Sequence, residues 1–135
     1  MDTTEFEVDS SDRRVVEITD QVRSFVREIG GDGLLHLFLP HATAGLALME
    51  TGSRSEQDLV DTLERLLPRD DRYAHSHGSP GHGADHLLPV LVAPSLTLTV
   101  ENGQLMLGTW QSVVVVDTNR DNARRRVRLT FLHAE

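Results

Sequence analysis

Residues 95–116 read S-L-T-L-T-V-E-N-G-Q-L-M-L-G-T-W-Q-S-V-V-V-V. Residues 95 to 100 alternate hydroxyl-bearing and apolar side chains, the period of a strand with one buried face. Asn102-Gly103 then predicts a type I′ hairpin, because both central positions of that turn need positive φ. Residues 104 to 107 return, and Gly108-Thr109-Trp110-Gln111 leads into the β-branched run Val113 to Val116. The stretch therefore predicts sheet built from antiparallel neighbours.

Working outward, 117–123 is a polar turn and Arg124 to Leu132 alternates as a closing strand. Residues 4 to 9 and 15 to 19 also alternate, with Ser10-Ser11-Asp12 turning between them. Asp20 is suited to cap a helix whose apolar residues Val22, Phe25, Val26 and Ile29 share one face, and Gly30-Gly31 end it. Residues 33 to 39 form an apolar strand containing His36 and stopped by Pro40, and Leu46 to Met49 a shorter one closing on Glu50. Ser53-Arg54-Ser55-Glu56 fits a capping box. Leu59, Val60, Leu63, Leu66 and Leu67 form the stripe of the helix it opens, and Pro68 ends that helix. No repeat or linker divides the chain. The expectation is a single α+β domain over residues 1–135, a mostly antiparallel β-sandwich with two helices.

The chain carries 21 acidic and 13 basic residues, a net charge of −8, so it lacks the basic face of a nucleic-acid binder. Its basic run, Arg124-Arg125-Arg126 with Arg120 and Arg128 nearby, suits one small anion such as a phosphate, or else the outer face of a strand. No apolar run is long enough to span a bilayer, and Met1-Asp2-Thr3-Thr4-Glu5 has no signal-peptide pattern. With no cysteine, any metal must be held by histidine and carboxylate, and a cytoplasmic setting is expected.

Chemistry concentrates in Tyr73 to His86, Y-A-H-S-H-G-S-P-G-H-G-A-D-H, where four of the seven histidines fall. Its glycines and proline predict a loop, either a solvated one or a metal or acid–base site. His41-Ala42-Thr43-Ala44-Gly45 lies at a strand end where small residues allow close approach. His41, Glu50, Asp58, His75, His77, His82 and His86 thus form the pool from which histidines and a carboxylate could hold a divalent ion, Zn²⁺ or Mg²⁺, with one position open. Trp110 reads as a stacking platform for a flat ring or as a core or subunit-interface residue.

The segments L-L-H-L-F-L-P-H-A-T-A-G-L-A-L-M-E, D-L-V-D-T-L-E-R-L-L-P, Y-A-H, A-D-H-L and G-T-W-Q, in this order from about Gly33 onward, resemble the YjbQ-like family. That family is often labelled secondary thiamine-phosphate synthase enzyme. The resemblance implies a compact α+β sandwich assembled as a homotrimer, with a polar pocket near the subunit boundary. His41, Glu50, Asp58, His75, His86, Gly108 to Gln111 and Arg125 or Arg126 match signature positions, whereas His77 and His82 match none and rank as loop histidines. Met49, Ala93 and Asp117 depart from the pattern, where Asn, Gly and Glu are usual.

The activity so implied joins an aminopyrimidine diphosphate to a thiazole phosphate with release of pyrophosphate. His41, His75 and His86 are then expected at a metal, with His41, Glu50 and Asp58 as catalytic groups. Thr43, Trp110, Gln111, Arg125 and Arg126 are expected at a small phosphorylated substrate. The other readings are a metal-dependent hydrolase of a small phosphate ester and a non-catalytic trimer that binds a metal or phosphometabolite. No nucleic-acid or membrane partner is expected.

Overall fold

The computed structural model describes residues 1–75 and 78–135. Among them run β1 (Asp2–Asp9), β2 (Val15–Glu17), α1 (Thr19–Ile29), β3 (Gly33–Phe38), β4 (Gly45–Met49) and α2 (Ser55–Leu66). Then follow α3 (His82–Leu91), β5 (Ser95–Glu101), β6 (Gln104–Leu105), β7 (Ser112–Val116) and β8 (Arg124–His133). One sheet has the order β1-β8-β3-β5-β6 and the other β2-β7-β4, every pair antiparallel. The α+β architecture matches the sequence reading.

The four valines of β7 show why the layers stack as they do. All are fully buried, but Val113 and Val115 join one core while Val114 and Val116 join another. The first core lies between the sheets, with Leu35 and Leu37 of β3, Leu46 of β4, Val127 and Leu129 of β8, and Val22 and Val26 of α1. The second lies between the smaller sheet and the helices, with Val60 and Leu63 of α2 and Leu88 of α3. A strand covered on both faces needs no polar alternation, hence the unbroken β-branched run.

The hairpin forms as its turn chemistry requires, with φ of 51° at Asn102 and 71° at Gly103. Its tip docks on the end of α1, Gly103 N–H donating to the Gly31 carbonyl at 2.8 Å.

Three expectations need correction. There are three helices rather than two, because the histidine segment ends in α3. Its stripe is hard to see, since the buried side includes Gly83, Ala84 and Asp85 and Pro89 lies inside. Second, α2 starts at Ser55 after a left-handed Arg54, φ 71°, with no side-chain cap. Glu56 does reach back, but accepts from the Gly52 N–H at 3.1 Å, and Leu66 points outward, 63% exposed. Third, Asp20 lies in the first turn of α1 rather than capping it.

Candidate metal centre

Helix α3 places His82 and His86 four residues apart, one turn along the same face. His75, in the segment before it, folds back over both. Ring centroids are 4.8 Å apart for His75–His82, and 4.4 Å for both His75–His86 and His82–His86. One ring nitrogen from each lies within 4.8 Å of the other two. His75 Nε2 and His82 Nε2 are 3.0 Å apart. Three imidazoles around a tetrahedral Zn²⁺ would hold their nitrogens about 3.3 Å apart, given Zn–N near 2.0–2.1 Å. The His75–His82 pair is already near that spacing, and the wider separations to His86 would close by up to about 1.5 Å around an ion.

Asp121, in the β7–β8 loop, faces His82 Nδ1 at 3.3 Å. A carboxylate there favours the tautomer with hydrogen on Nδ1, leaving the Nε2 lone pair to face the cluster, a common arrangement behind metal-bound histidines.

The platform beneath is Asp85, fully buried between His82 and His86 in sequence. Arg69 grips its carboxylate through both terminal nitrogens, Thr118 Oγ1 donates to Oδ1 at 2.7 Å, and Asn119 Nδ2 donates to Oδ2 at 3.0 Å. Four charge-assisted or buried hydrogen bonds tie α3 to the segment that follows α2 and to the β7–β8 loop, fixing where the two helix histidines stand.

A second ionic knot sits on the other side of that loop. Arg125, 1% exposed, binds Asp117 through Nε at 2.7 Å and Nη2 at 2.9 Å, and donates to Thr43 Oγ1 at 2.8 Å. Its guanidinium is committed to the interior, and Thr43 with it. These two residues, expected at a phosphate, instead join the turn after His41 to β8. His41 Nε2 accepts the Arg126 N–H at 2.9 Å. Burial, and then the charges of Arg125 and Arg126, hold His41 below the usual histidine range, so it is kept neutral.

The structure therefore brings together His75, His86 and His82, the last having been ranked as a loop histidine, while His41 lies outside the group. The signal for His82 was the four-residue spacing to His86, hidden by reading the segment as a loop. His77 lies outside the described residues. Glu50 and Asp58 are exposed, outside the histidine group, and without side-chain hydrogen bonds among the described residues. Trp110 is 73% exposed, and Gln111 Oε1 accepts from the Gly108 N–H of its own turn. Arg126 remains largely exposed, 3.9 Å from Glu5. The close approach allowed by Gly45 is to the chain itself, since a Cβ there would fall 1.9 Å from the Val92 carbonyl oxygen.

The family model for UPF0047 protein YjbQ-like matches residues 4–134. The chain belongs to this UPF0047 YjbQ-like family. It is 62% identical to UPF0047 protein Rv2556c of Mycobacterium tuberculosis over 132 residues, covering 98% of each chain. Among solved structures, it superposes on a hypothetical protein of Aeropyrum pernix with a TM-score of 0.88 at 30% identity, covering 99% of this chain and 100% of that one. A conserved hypothetical protein of Thermus thermophilus gives 0.80 at 34% identity, with 96% and 99% covered. No helix among the described residues is long and apolar enough to cross a membrane.

Proposed function

We propose that this member of the UPF0047 YjbQ-like family is a metal-dependent enzyme acting on a small phosphorylated substrate. The supporting observation is the convergence of His75, His82 and His86. Three protein ligands, rather than four, characterise catalytic centres with a position left for water or substrate. A divalent ion held there supplies Lewis acidity toward a phosphoryl oxygen. The chain's own contributions are separate: Asp121 orients His82, and the Asp85 knot keeps the helix histidines in place.

The reaction implied by the resemblance is thiamine-phosphate-synthase-like. The bond between the aminopyrimidine methylene and its diphosphate oxygen breaks, a bond from that carbon to the thiazole nitrogen forms, and pyrophosphate leaves. Assembly as a homotrimer in the cytoplasm belongs to the same reading. Leu34, Phe38 and Leu132 stand 46%, 39% and 47% exposed on neighbouring strands of the larger sheet. The face carrying Leu34, Phe38 and Leu132 suits burial against another copy.

The test begins with metal. Chelated protein reloaded with Co²⁺ or Zn²⁺ should take one ion per chain. His82→Ala and His86→Ala should lose it, Asp121→Ala should weaken it about 10–100-fold, and His41→Ala should retain it. An ion that survives His82→Ala but not His41→Ala refutes the centre. Loaded protein is then given the pyrimidine diphosphate and thiazole phosphate. Thiamine phosphate formation that persists in both His82→Ala and His86→Ala would show that the activity lies elsewhere, and release of inorganic phosphate from a simple ester would favour the hydrolase.

A further inference from the structure

The arginines that the sequence grouped together separate in the structure. Arg125 turns inward with Val127, Leu129 and Phe131. Arg128 pairs with Glu5, while Arg126 lies near the same carboxylate. Arg120 goes elsewhere. It lies with Arg13 and Arg14 on the walls of a cleft of about 290 Å³ between the β1–β2 turn and the β7–β8 loop.

Two observations make this cleft a built site. First, its walls are fastened at both ends. Ser10 N–H donates to the Ala123 carbonyl at 2.8 Å, and Asp117 N–H donates to the Arg14 carbonyl at 2.7 Å. Between these bonds the segments diverge. Inside the loop, the Asn119 side-chain oxygen accepts the N–H groups of Asp121 and Asn122 at 2.9 and 3.1 Å. The opening therefore needs little ordering on binding. Second, the charge is uncompensated. Arg14 is paired with Glu64, and Asp117 with Arg125. Among the described residues Arg13 and Arg120 have no ion pair, and Asp12 is the one unpaired carboxylate on the walls. The cleft is thus cationic on an acidic molecule. A second cleft of about 440 Å³ shares Asp12, Arg13 and Arg14 with it, leaving room for a body attached to the anion.

We propose that the cleft between residues 10–14 and 117–123 binds a phosphate or phosphate-ester group, with Arg13 and Arg120 as its cationic contacts. The inference deepens the reading of a phosphorylated substrate and gives the phosphate a place away from the histidines. The same loop serves both, since Asn119 lines the cleft and Asp121 meets His82. Arginine suits the task because its planar fork matches phosphate oxygens.

Inorganic phosphate and pyrophosphate are titrated by calorimetry into the full chain, metal-free after chelation and again after Zn²⁺ loading. Binding is expected in both states and should weaken with salt. Arg13→Ala and Arg120→Ala should each lower affinity about tenfold or more, while Arg128→Ala, which also removes one positive charge, should not. Both test arginines are exposed, so folding is not at risk. Binding that vanishes on chelation and ignores Arg13 and Arg120 would put the phosphate at the metal and overturn the proposal. Absence of binding in either state overturns it too. Loss in the arginine variants, even from protein that takes no metal, supports it though the metal centre fails.

Discussion

Asp85→Asn tests the platform under the histidines. The substitution keeps the shape of the side chain but removes its charge, and it puts an NH₂ group where Arg69, Thr118 and Asn119 all donate. Breaking a buried ion pair by altering one partner costs roughly 3–5 kcal/mol. Arg69 keeps some access to water, its side chain being 19% exposed, which puts the cost near the lower end. With an unfolding entropy of about 2.1 cal/mol/K per residue, 135 residues give about 0.28 kcal/mol/K, so ~3 kcal/mol lowers the melting temperature by about 10 °C. Circular dichroism melts and urea titrations on the same samples give both numbers. Arg69→Met should also destabilise, but the double variant should lose less than the sum, because no unpaired guanidinium remains. A single Asp85→Asn variant melting within about 2 °C of the parent would show that the Asp85 hydrogen bonds do not hold α3 in place.

Three further outcomes follow from the packing and the electrostatics. Val114→Ala and Val115→Ala should each cost about 2–3 kcal/mol in urea denaturation, for two lost methyl groups and the cavity left. One cost near zero would mean that β7 is not covered on both faces. Gly45→Ala should give insoluble or strongly destabilised protein, since the added carbon overlaps the Val92 carbonyl; a soluble variant of parental melting temperature would contradict that contact. For His41, the folded-state pKa lies below the ordinary 6.5. The unfolded chain therefore takes up the proton first as pH falls. The contribution of His41 is intact above pH 6.5 and is lost below it, down to the lowered folded value. His41→Gln should flatten the stability profile across that window, and a profile superimposable on the parent's would remove the basis for a neutral His41.

The strands were legible because each presents one apolar face or, in β7, two. The hairpin was legible because Asn102 and Gly103 suit positive φ. Parity along β8 also carried the fate of Arg125, since a residue two before Val127 must point to the same side; its partner Asp117 was beyond reach, lying in a loop that has no period. α3 stayed hidden for a related reason. Its inward face holds a carboxylate that becomes acceptable there only once Arg69, Thr118 and Asn119 arrive from other elements, and no local pattern announces such partners. The resemblance pointed to His75 and His86 but drew attention from His82, whose contribution depends on helix geometry rather than on a signature.

The position of β8 between β1 and β3 has a consequence for synthesis. Neither neighbour can complete its ladder until residues 124–133 have cleared the ribosome. Until then the inward side of β3, with Leu35 and Leu37, has no cover from Leu129 or Phe131. Assembly of the larger sheet is deferred until β8 is available, which makes that strand the step that commits β1 and β3 to their final pairing.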